Sequence, residues 1–172
     1  MNNTAPTFVV KHLDGSHLRQ GFDCGNSRLN AYLQHLASQH ERRHIGRTYV
    51  LLRDPEPKIL GFYTLAASSV VFVQLPETEK LPKYPVPVLK LAQLAIDSSM
   101  QGQGWGKYLL LDALSRAERI SRDVAIYAVE LDAIDDAARA FYLHFGFMSL
   151  NDDPNHLYCT MKKIAQLRLN ST

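Results

Sequence analysis

The stretch Leu94-Ala95-Ile96-Asp97-Ser98-Ser99-Met100-Gln101-Gly102-Gln103-Gly104-Trp105-Gly106 decides the fold of this chain. The residues up to Ile96 complete an apolar run that is typical of a strand, and those from Trp105 onward recur at helical spacing. A helix N-terminus presents unpaired backbone N–H groups and the positive end of the helix dipole, and glycines remove the side chains that would keep an anion away. The stretch therefore predicts a phosphate-binding loop between a strand and a helix.

The spacing of these glycines argues against two familiar phosphate loops. A P-loop would need glycine at Gln101 and serine or threonine at Tyr108. The dinucleotide fingerprint G-x-G-x-x-G, started at Gly102, would need glycine at Lys107, and it belongs to the first unit of a doubly wound sheet. ATP, GTP and NAD are therefore disfavoured as ligands.

Upstream of the loop, the pattern predicts one helix and one hairpin. Apolar residues recur at helical steps from an Asn26 cap to about Arg43. Two β-branched and aromatic runs, Thr48–Arg53 and Ile59–Ala67, flank a proline-containing turn and predict an antiparallel hairpin. Four prolines in the segment 74–87 predict a surface loop with neither regular helix nor central strand.

Downstream of the loop, strands and helices continue to alternate. The sequence predicts a strand at 124–131, a helix at 135–145, and two short strands within 147–161 around a polar loop. We find no repeat, low-complexity tract or linker, so residues 1–172 are predicted to form a single domain. The fold class is α/β, with an early antiparallel hairpin.

The composition is that of a soluble globular domain. The chain has 172 residues, is 46% hydrophobic and has a net charge of +2, so any contact with a polyanion must come from a local basic patch. The N-terminus lacks the features of a signal peptide, no stretch is apolar enough to span a bilayer, and Cys24 and Cys159 make no disulfide framework. We expect a cytoplasmic protein that does not enter a membrane.

The run His40-Glu41-Arg42-Arg43-His44 fits the zinc pattern H-E-x-x-H. Catalytic zinc needs a third protein ligand, and no suitable extension follows this run. A zinc hydrolase is therefore disfavoured, and no metal is predicted.

The arrangement Gln-x-x-Gly-x-Gly between a strand and a helix resembles the pyrophosphate loop of the GCN5-related N-acetyltransferase superfamily. The superfamily's later pattern, Asn-x-x-Ala-x-x-Leu/Phe-Tyr-x-x-x-Gly-Phe, is matched by Asp135, Ala138, Phe141, Tyr142, Gly146 and Phe147. Only the first position departs, and aspartate suits a helix N-cap equally well. The resemblance covers about residues 45 to 162. It implies a mixed sheet whose strands splay around the cofactor, flanking helices, and acetyl-CoA as cosubstrate.

The resemblance also implies roles for individual residues. The pantetheine arm of acetyl-CoA is expected to pair with the backbone of the strand end, and a backbone N–H near Leu94 to stabilise the oxyanion. The loop is expected to hold the pyrophosphate, and Tyr142 to protonate the leaving thiolate. No glutamate or histidine is assignable as general base. The predicted cofactor-binding residues are Leu94, Ala95, Ile96, Gln101, Gly102, Gln103, Gly104, Trp105 and Gly106.

Within the superfamily, the chain resembles the aminoacyl-tRNA-acetylating toxins of type II toxin–antitoxin systems. The motifs that carry this resemblance are Phe22-x-Cys24-Gly25, Gly46-Arg47-Thr48-Tyr49-Val50, Gly61-Phe62-Tyr63-Thr64-Leu65, Pro85-Val86-Pro87-Val88 and Leu94-Ala95-Ile96-Asp97. Gln93 stands where that family usually has arginine. The resemblance implies that the acceptor is the α-amino group of an aminoacyl-tRNA, that translation is blocked, and that a ribbon-helix-helix antitoxin binds the protein.

A tRNA acceptor requires cations on the protein surface. The candidates are Arg42, Arg43, Arg47, Lys80, Lys83 and Lys90. Two alternatives share the cofactor residues: an acetyltransferase of small amines or protein N-termini, and a non-catalytic acyl-CoA-binding module. The sequence is compatible with a homodimer but does not determine the oligomeric state.

Overall fold

A mixed sheet forms the framework of the protein. The structure, a computed structural model, describes residues 5–169, and within them seven strands follow the order β1-β2-β3-β4-β5-β7-β6. These strands are β1 Thr7–His12, β2 Arg47–Asp54, β3 Ile59–Val70, β4 Val86–Ile96, β5 Ala128–Asp132, β6 Met148–Ser149 and β7 His156–Thr160. Strands β4 and β5 are parallel, whereas β1–β2, β2–β3, β5–β7 and β6–β7 are antiparallel. The predicted α/β class, mixed sheet and early hairpin are confirmed.

Five α-helices accompany the strands in the described part of the chain. They are α1 Ser27–Ala31, α2 Ala37–Arg42, α3 Trp105–Ile120, α4 Asp136–His144 and α5 Met161–Leu169. A π-helical turn, Tyr32–Leu36, joins α1 directly to α2, so the predicted early helix is present with an irregular middle. Within residues 5–169, no helix is both long and apolar enough to cross a bilayer.

The chain divides into two compact units. The first comprises the residues up to Ala66 together with Gln93–Ala113, and the second comprises Ala67–Ala92 together with the residues from Leu114 onward. The glycine loop lies in the first unit, and the segment that carries Tyr142 lies in the second.

The first unit has a core of apolar side chains from α1, the π turn, β2 and β3. Asn26 caps α1 as predicted, because its Oδ1 accepts the Leu29 N–H at 3.1 Å. Phe22 packs edge-on against Phe62, with ring centroids 5.5 Å apart. The fully buried residues of this core include Leu33, Ala37, Val50, Ile59 and Phe62. Strand β1, which the sequence pattern did not predict, pairs with the outer edge of β2 from Thr7↔Asp54 to His12↔Tyr49.

The second unit shows two departures from the sequence prediction. Strand β4 begins at Val86 and so includes Pro87, although the prolines predicted a loop to that point. The β4–β5 ladder begins only at Val88, so Pro87 lies at the strand start, where its missing N–H is tolerated. The strand predicted at 124–131 begins at Ala128, with Tyr127 donating its N–H to the Pro87 carbonyl at 2.9 Å.

The proline-rich segment before β4 is fixed by polar contacts. It contains two short 3₁₀ turns, Phe72–Gln74 and Glu77–Glu79, where the sequence predicted an irregular loop. The Glu79 carboxylate accepts hydrogen bonds from the hydroxyls of Tyr127 and Tyr158. Burial, followed by these bonds to Glu79, raises the pKa of both tyrosines, so both phenols stay neutral. The segment is therefore an ordered surface feature of the second unit.

Helix α4 begins and ends as the sequence predicted. The Asp135 side chain caps it by accepting the Ala138 N–H at 2.7 Å. Gly146, just past its end, has a φ of +93°, a left-handed conformation that glycine adopts without strain. The asparagine-to-aspartate departure at position 135 therefore preserves the cap.

Candidate active site

The glycine loop joins the end of β4 to the start of α3. Gly102 and Gly104 have φ values of +74° and +87°, and a Cβ added at either would meet no atom within 4 Å. Both positions therefore require glycine-like backbone freedom and both border open space. The Tyr108 N–H makes the first helical hydrogen bond, to the Gly104 carbonyl at 3.1 Å, so the N–H groups of residues 105–107 precede the helical ladder. This geometry suits an anion such as a pyrophosphate.

The two glutamine side chains of the loop turn toward backbone carbonyls. Gln101 Nε2 donates to the carbonyls of Ile96 and Cys24, both at 2.9 Å. Gln103 Nε2 donates to the Ser99 carbonyl at 3.3 Å. The two glutamine side chains of the loop therefore bond to its backbone and to neighbouring backbone.

Asp97 fixes the turn that leads from β4 into the loop. Its carboxylate accepts the Asp23 N–H at 3.0 Å, the Ser99 N–H at 3.1 Å and the Ser99 hydroxyl at 2.7 Å. Burial of this side chain disfavours its charge, but the hydrogen bonds from Asp23 and Ser99 outweigh burial and lower the pKa of Asp97. Asp97 is therefore a charged group that organises local backbone.

The end of β4 is closely packed on one side. Leu94 is half-buried, and Ala95 and Ile96 are buried. A Cβ added at Gly61 of β3 would lie 2.9 Å from Ile96 Cδ1 and 3.1 Å from both the Ala95 carbonyl oxygen and Leu109 Cδ1. Gly61 thus permits close approach of β3 to the strand end that was predicted to bind the cofactor.

Tyr142 lies on α4, in the second unit. It is buried, with only 8% of its surface exposed, and its ring contacts Phe141 and Phe147 at centroid distances of 5.1 and 5.6 Å. Burial alone raises the pKa of Tyr142. A tyrosine is protonated at neutral pH, as a general acid requires, and burial of Tyr142 disfavours the phenolate further.

The six candidate cations fall equally into the two units and differ in their surroundings. In the first unit, Arg42 and Arg43 are exposed at the end of α2, whereas Arg47 pairs with Glu41 Oε2 at 2.8 Å. In the second unit, Lys80 and Lys83 are exposed. Lys90 contacts Asp132 at 2.8 Å and the buried Glu130 at 3.9 Å.

The H-E-x-x-H run adopts a geometry unlike that of a zinc helix. Helix α2 ends at Arg42, and His44 follows in a left-handed conformation with a φ of 56°, so the two histidines do not share a helical face. Glu41 accepts hydrogen bonds from His12, Arg47 and the Thr48 N–H. Its carboxylate thus joins the end of α2 to the start of β2.

Sequence reasoning missed the structural roles of Asp97, Asp23 and Glu41. One local signal was available, since Asp97 followed by two serines is typical of a side chain that caps its own turn. The partners of Asp97 and Glu41 outside their own turns depend on tertiary structure.

Comparisons with known proteins identify the family of this chain. The family described as "Acetyltransferase (GNAT) domain" matches residues 44–149. The tRNA-acetylating toxin of Mycobacterium tuberculosis (strain ATCC 25618 / H37Rv) is 37% identical over 147 residues, which cover 85% of this chain and 87% of that protein.

Solved structures show the same similarity over almost the whole chain. AtaT complexed with acetyl-methionyl-tRNAfMet is 34% identical, with a TM-score of 0.87 and coverage of 94% of this chain and 99% of that chain. A tyrosine-to-phenylalanine mutant of AtaT, bound to the C-terminus of the antitoxin AtaR and acetyl-CoA, is 32% identical, with a TM-score of 0.82 and coverage of 94% and 98%. By its family match, its sequence identity to the mycobacterial toxin and its glycine-loop geometry, the chain belongs to the GNAT acetyltransferase family.

Proposed function

We propose that this protein transfers an acetyl group from acetyl-CoA to the α-amino group of an aminoacyl-tRNA and thereby blocks translation. The observation that carries the proposal is the glycine loop before α3, with two left-handed glycines facing open space, in a chain 37% identical to a tRNA-acetylating toxin. The solved relative AtaT in complex with acetyl-methionyl-tRNAfMet supports the same acceptor class.

The residues of the first unit fit acetyl-CoA. The backbone N–H groups of residues 102–106 would hold the pyrophosphate, because the two glycines leave the approach clear and the dipole of α3 favours an anion. The backbone of Leu94, Ala95 and Ile96 would pair with the pantetheine amides as an added strand does, and an N–H near Leu94 would stabilise the oxyanion. Bound acetyl-CoA supplies the thioester whose acetyl group is transferred.

Tyr142 would act as the general acid. A tyrosine hydroxyl is protonated at neutral pH, and burial raises the pKa of Tyr142 further, so this phenol can protonate the thiolate that leaves as the C–S bond breaks.

The general base stays unassigned. An α-amino group has a pKa of about 8, against about 10.4 for a lysine side chain, so a useful fraction is already neutral near pH 7. An aminoacyl acceptor therefore depends less on a dedicated base than a lysine acceptor does.

We further propose that residues 1–172 act as one acetyltransferase domain in the cytoplasm. The match to the acetyltransferase family spans residues from both compact units, which supports a single functional domain. The antitoxin-bound AtaT structure supports an antitoxin partner, for which we propose a ribbon-helix-helix protein encoded next to this one. A homodimer stays a prediction.

Replacing Arg42, Arg43 and Arg47 with alanine is expected to weaken aminoacyl-tRNA binding and to flatten its dependence on salt. For each phosphate that the protein no longer neutralises, the slope of log K against log salt should fall by about one. Binding isotherms at several salt concentrations measure that slope. Because Arg47 also pairs with Glu41, the Arg42→Ala, Arg43→Ala double variant separates tRNA binding from loss of that ion pair.

A matched control for this experiment is Arg28→Ala, which removes an exposed arginine from α1. It should leave the salt slope unchanged. If the slope of the triple variant equals that of the wild type, these arginines do not contact tRNA phosphates.

Expression of the protein alone is expected to arrest growth, and co-expression of the antitoxin should restore it. Growth can also stop from overproduction, so the informative result is arrest together with N-acetylated aminoacyl-tRNA in the same culture. Restoring arginine at Gln93, the position where the toxins usually have it, should strengthen the arrest. Normal growth with unmodified aminoacyl-tRNA, alongside acetylation of free amines or peptides, would favour the alternative acceptor class.

A further inference from the structure

Residues 22–25, which we call the brace, are bonded to the turn and loop that follow β4. The Asp23 N–H donates to Asp97 Oδ2 at 3.0 Å. The Asp23 carbonyl accepts the Ser98 N–H at 2.8 Å and the Ser98 hydroxyl at 2.7 Å. The Cys24 carbonyl accepts Gln101 Nε2 at 2.9 Å. Four hydrogen bonds therefore join two segments that lie more than 70 residues apart in sequence.

The brace is itself held in place by α1 and by the core. Asn30 of α1 donates from Nδ2 to Asp23 Oδ1 at 2.9 Å and accepts the Cys24 N–H at 2.9 Å. Phe22 is 2% exposed and packs against Phe62 of β3. Because Asn30 of α1 and the packing of Phe22 in the core fix its position, the brace can fix the position of residues 97–101, to which it is hydrogen-bonded.

The donors of the Gln101 side chain are fully used in this arrangement. An amide nitrogen carries two hydrogens, and those of Gln101 are directed at the carbonyls of Ile96 and Cys24. No N–H of this side chain is left for a phosphate. The next residues include Gly102 and Gly104, two left-handed glycines that have no side chain to hold the backbone in place. The order of the loop therefore depends on hydrogen bonds such as those of Gln101.

We propose that Gln101 and Asp97 are positioning residues. They tie the glycine loop to the brace and so hold its backbone N–H groups in the arrangement that binds pyrophosphate. The role of the Phe22-x-Cys24-Gly25 motif is then to hold the glycine loop through direct hydrogen bonds, although the two lie far apart in the sequence. This inference rests on the proposed acetyl-CoA site in the first unit.

The first test is Gln101→Leu, which removes both donors at similar size. The dissociation constant for acetyl-CoA, measured by calorimetry, is expected to rise about tenfold, since two hydrogen bonds that order the loop are removed. The kcat at saturating acetyl-CoA should change much less than KM, because no reacting atom is touched. Amide hydrogen exchange of residues 102–106 in the free protein should become faster.

The matched variant is Gln101→Arg, whose guanidinium carries enough donors to bridge the same two carbonyls. It is expected to restore acetyl-CoA affinity close to that of the wild type. If residue 101 instead contacts the pyrophosphate directly, the Gln101→Arg variant should bind acetyl-CoA more tightly than the wild type, with a steeper salt dependence. In that case Gln101→Leu should leave amide hydrogen exchange of residues 102–106 in the free protein unchanged.

Asp97→Asn tests the second tether, since it replaces an acceptor of the Asp23 and Ser99 hydrogen bonds with a side chain that also donates. It should weaken acetyl-CoA binding. In the double variant with Gln101→Leu, the loss of binding free energy should be smaller than the sum of the losses in the two single variants, because both substitutions act through one loop. Should Asp97→Asn fail to fold, the Gln101 pair of variants decides the question alone.

The possible failures are distinguishable. A wild-type protein that does not bind acetyl-CoA contradicts the proposed function itself. If the wild type binds acetyl-CoA and the Gln101→Leu variant has the same affinity and the same amide hydrogen exchange in the loop, the positioning role of Gln101 is contradicted and the proposed cofactor site is not.

Discussion

Gly104→Asp is expected to abolish acetyl-CoA binding, with a loss of affinity of more than about a hundredfold by calorimetry. The added side chain would extend into the open space beside the N-terminus of α3, and its carboxylate would take the place of the anion there. An aspartate at a helix N-terminus is favourable for the helix, so the melting temperature should fall little despite the strained φ of +87°. The loss therefore reports on ligand binding.

Gly104→Asn is the matched control, because asparagine has the size of aspartate, carries no charge and tolerates the left-handed conformation. It should bind acetyl-CoA more tightly than the aspartate variant. Wild-type affinity in Gly104→Asp would mean that the pyrophosphate lies elsewhere.

Tyr142→Phe is expected to lower kcat about a hundredfold or more while leaving the acetyl-CoA dissociation constant unchanged. The substitution removes a proton donor and keeps the ring that contacts Phe141 and Phe147. Single-turnover transfer to a saturating acceptor measures the effect. A turnover close to that of the wild type would show that Tyr142 serves the core of the second unit and does not donate a proton.

Tyr158→Phe is a matched control for this prediction. Tyr158 is also a buried tyrosine of the second unit with a raised pKa, but its hydroxyl donates to Glu79. Its replacement should cost some stability through that hydrogen bond and leave kcat unchanged.

Local patterns in the sequence predicted most of the fold correctly. The Asn26 and Asp135 caps, the β2–β3 hairpin and the strand–loop–helix unit around Gly102–Gly106 all depend on neighbouring residues, and all are present. The caps and the loop are readable because the hydrogen bonds and dihedral angles that define them form within a few residues, and the hairpin is readable because its turn and two apolar runs adjoin in sequence.

The missed elements are those that tertiary pairing stabilises. Strand β1 is a short edge strand whose ladder partner, β2, lies about 40 residues away. Among the α5 side chains that the structure describes, those of residues 161–167, that of Ile164 is the buried one, which gives little amphipathic signal. The late start of β5 reflects its parallel ladder with β4, which begins at Val88↔Ala128. Sequence periodicity alone does not specify these pairings.

The same distinction holds for the candidate site. The prediction that the glycine loop binds phosphate rests on its own residues, and the prediction that Tyr142 is the general acid rests on its motif. The tether from Gln101 to Cys24 spans 77 residues, so neither position alone indicates it. Likewise, the sequence does not show that Arg47 forms an ion pair with Glu41 and Lys90 one with Asp132. Only the fold reveals these ion pairs.

The most direct test of the account is acetyl transfer by the purified protein from radiolabelled acetyl-CoA to total aminoacyl-tRNA. We expect label on the aminoacyl group that mild alkali removes together with the amino acid. The label should be absent with deacylated tRNA and should appear about a hundredfold more slowly, or slower still, with the Tyr142→Phe variant. Label that appears only on free amines or peptides, with aminoacyl-tRNA unmodified, would contradict the proposed acceptor.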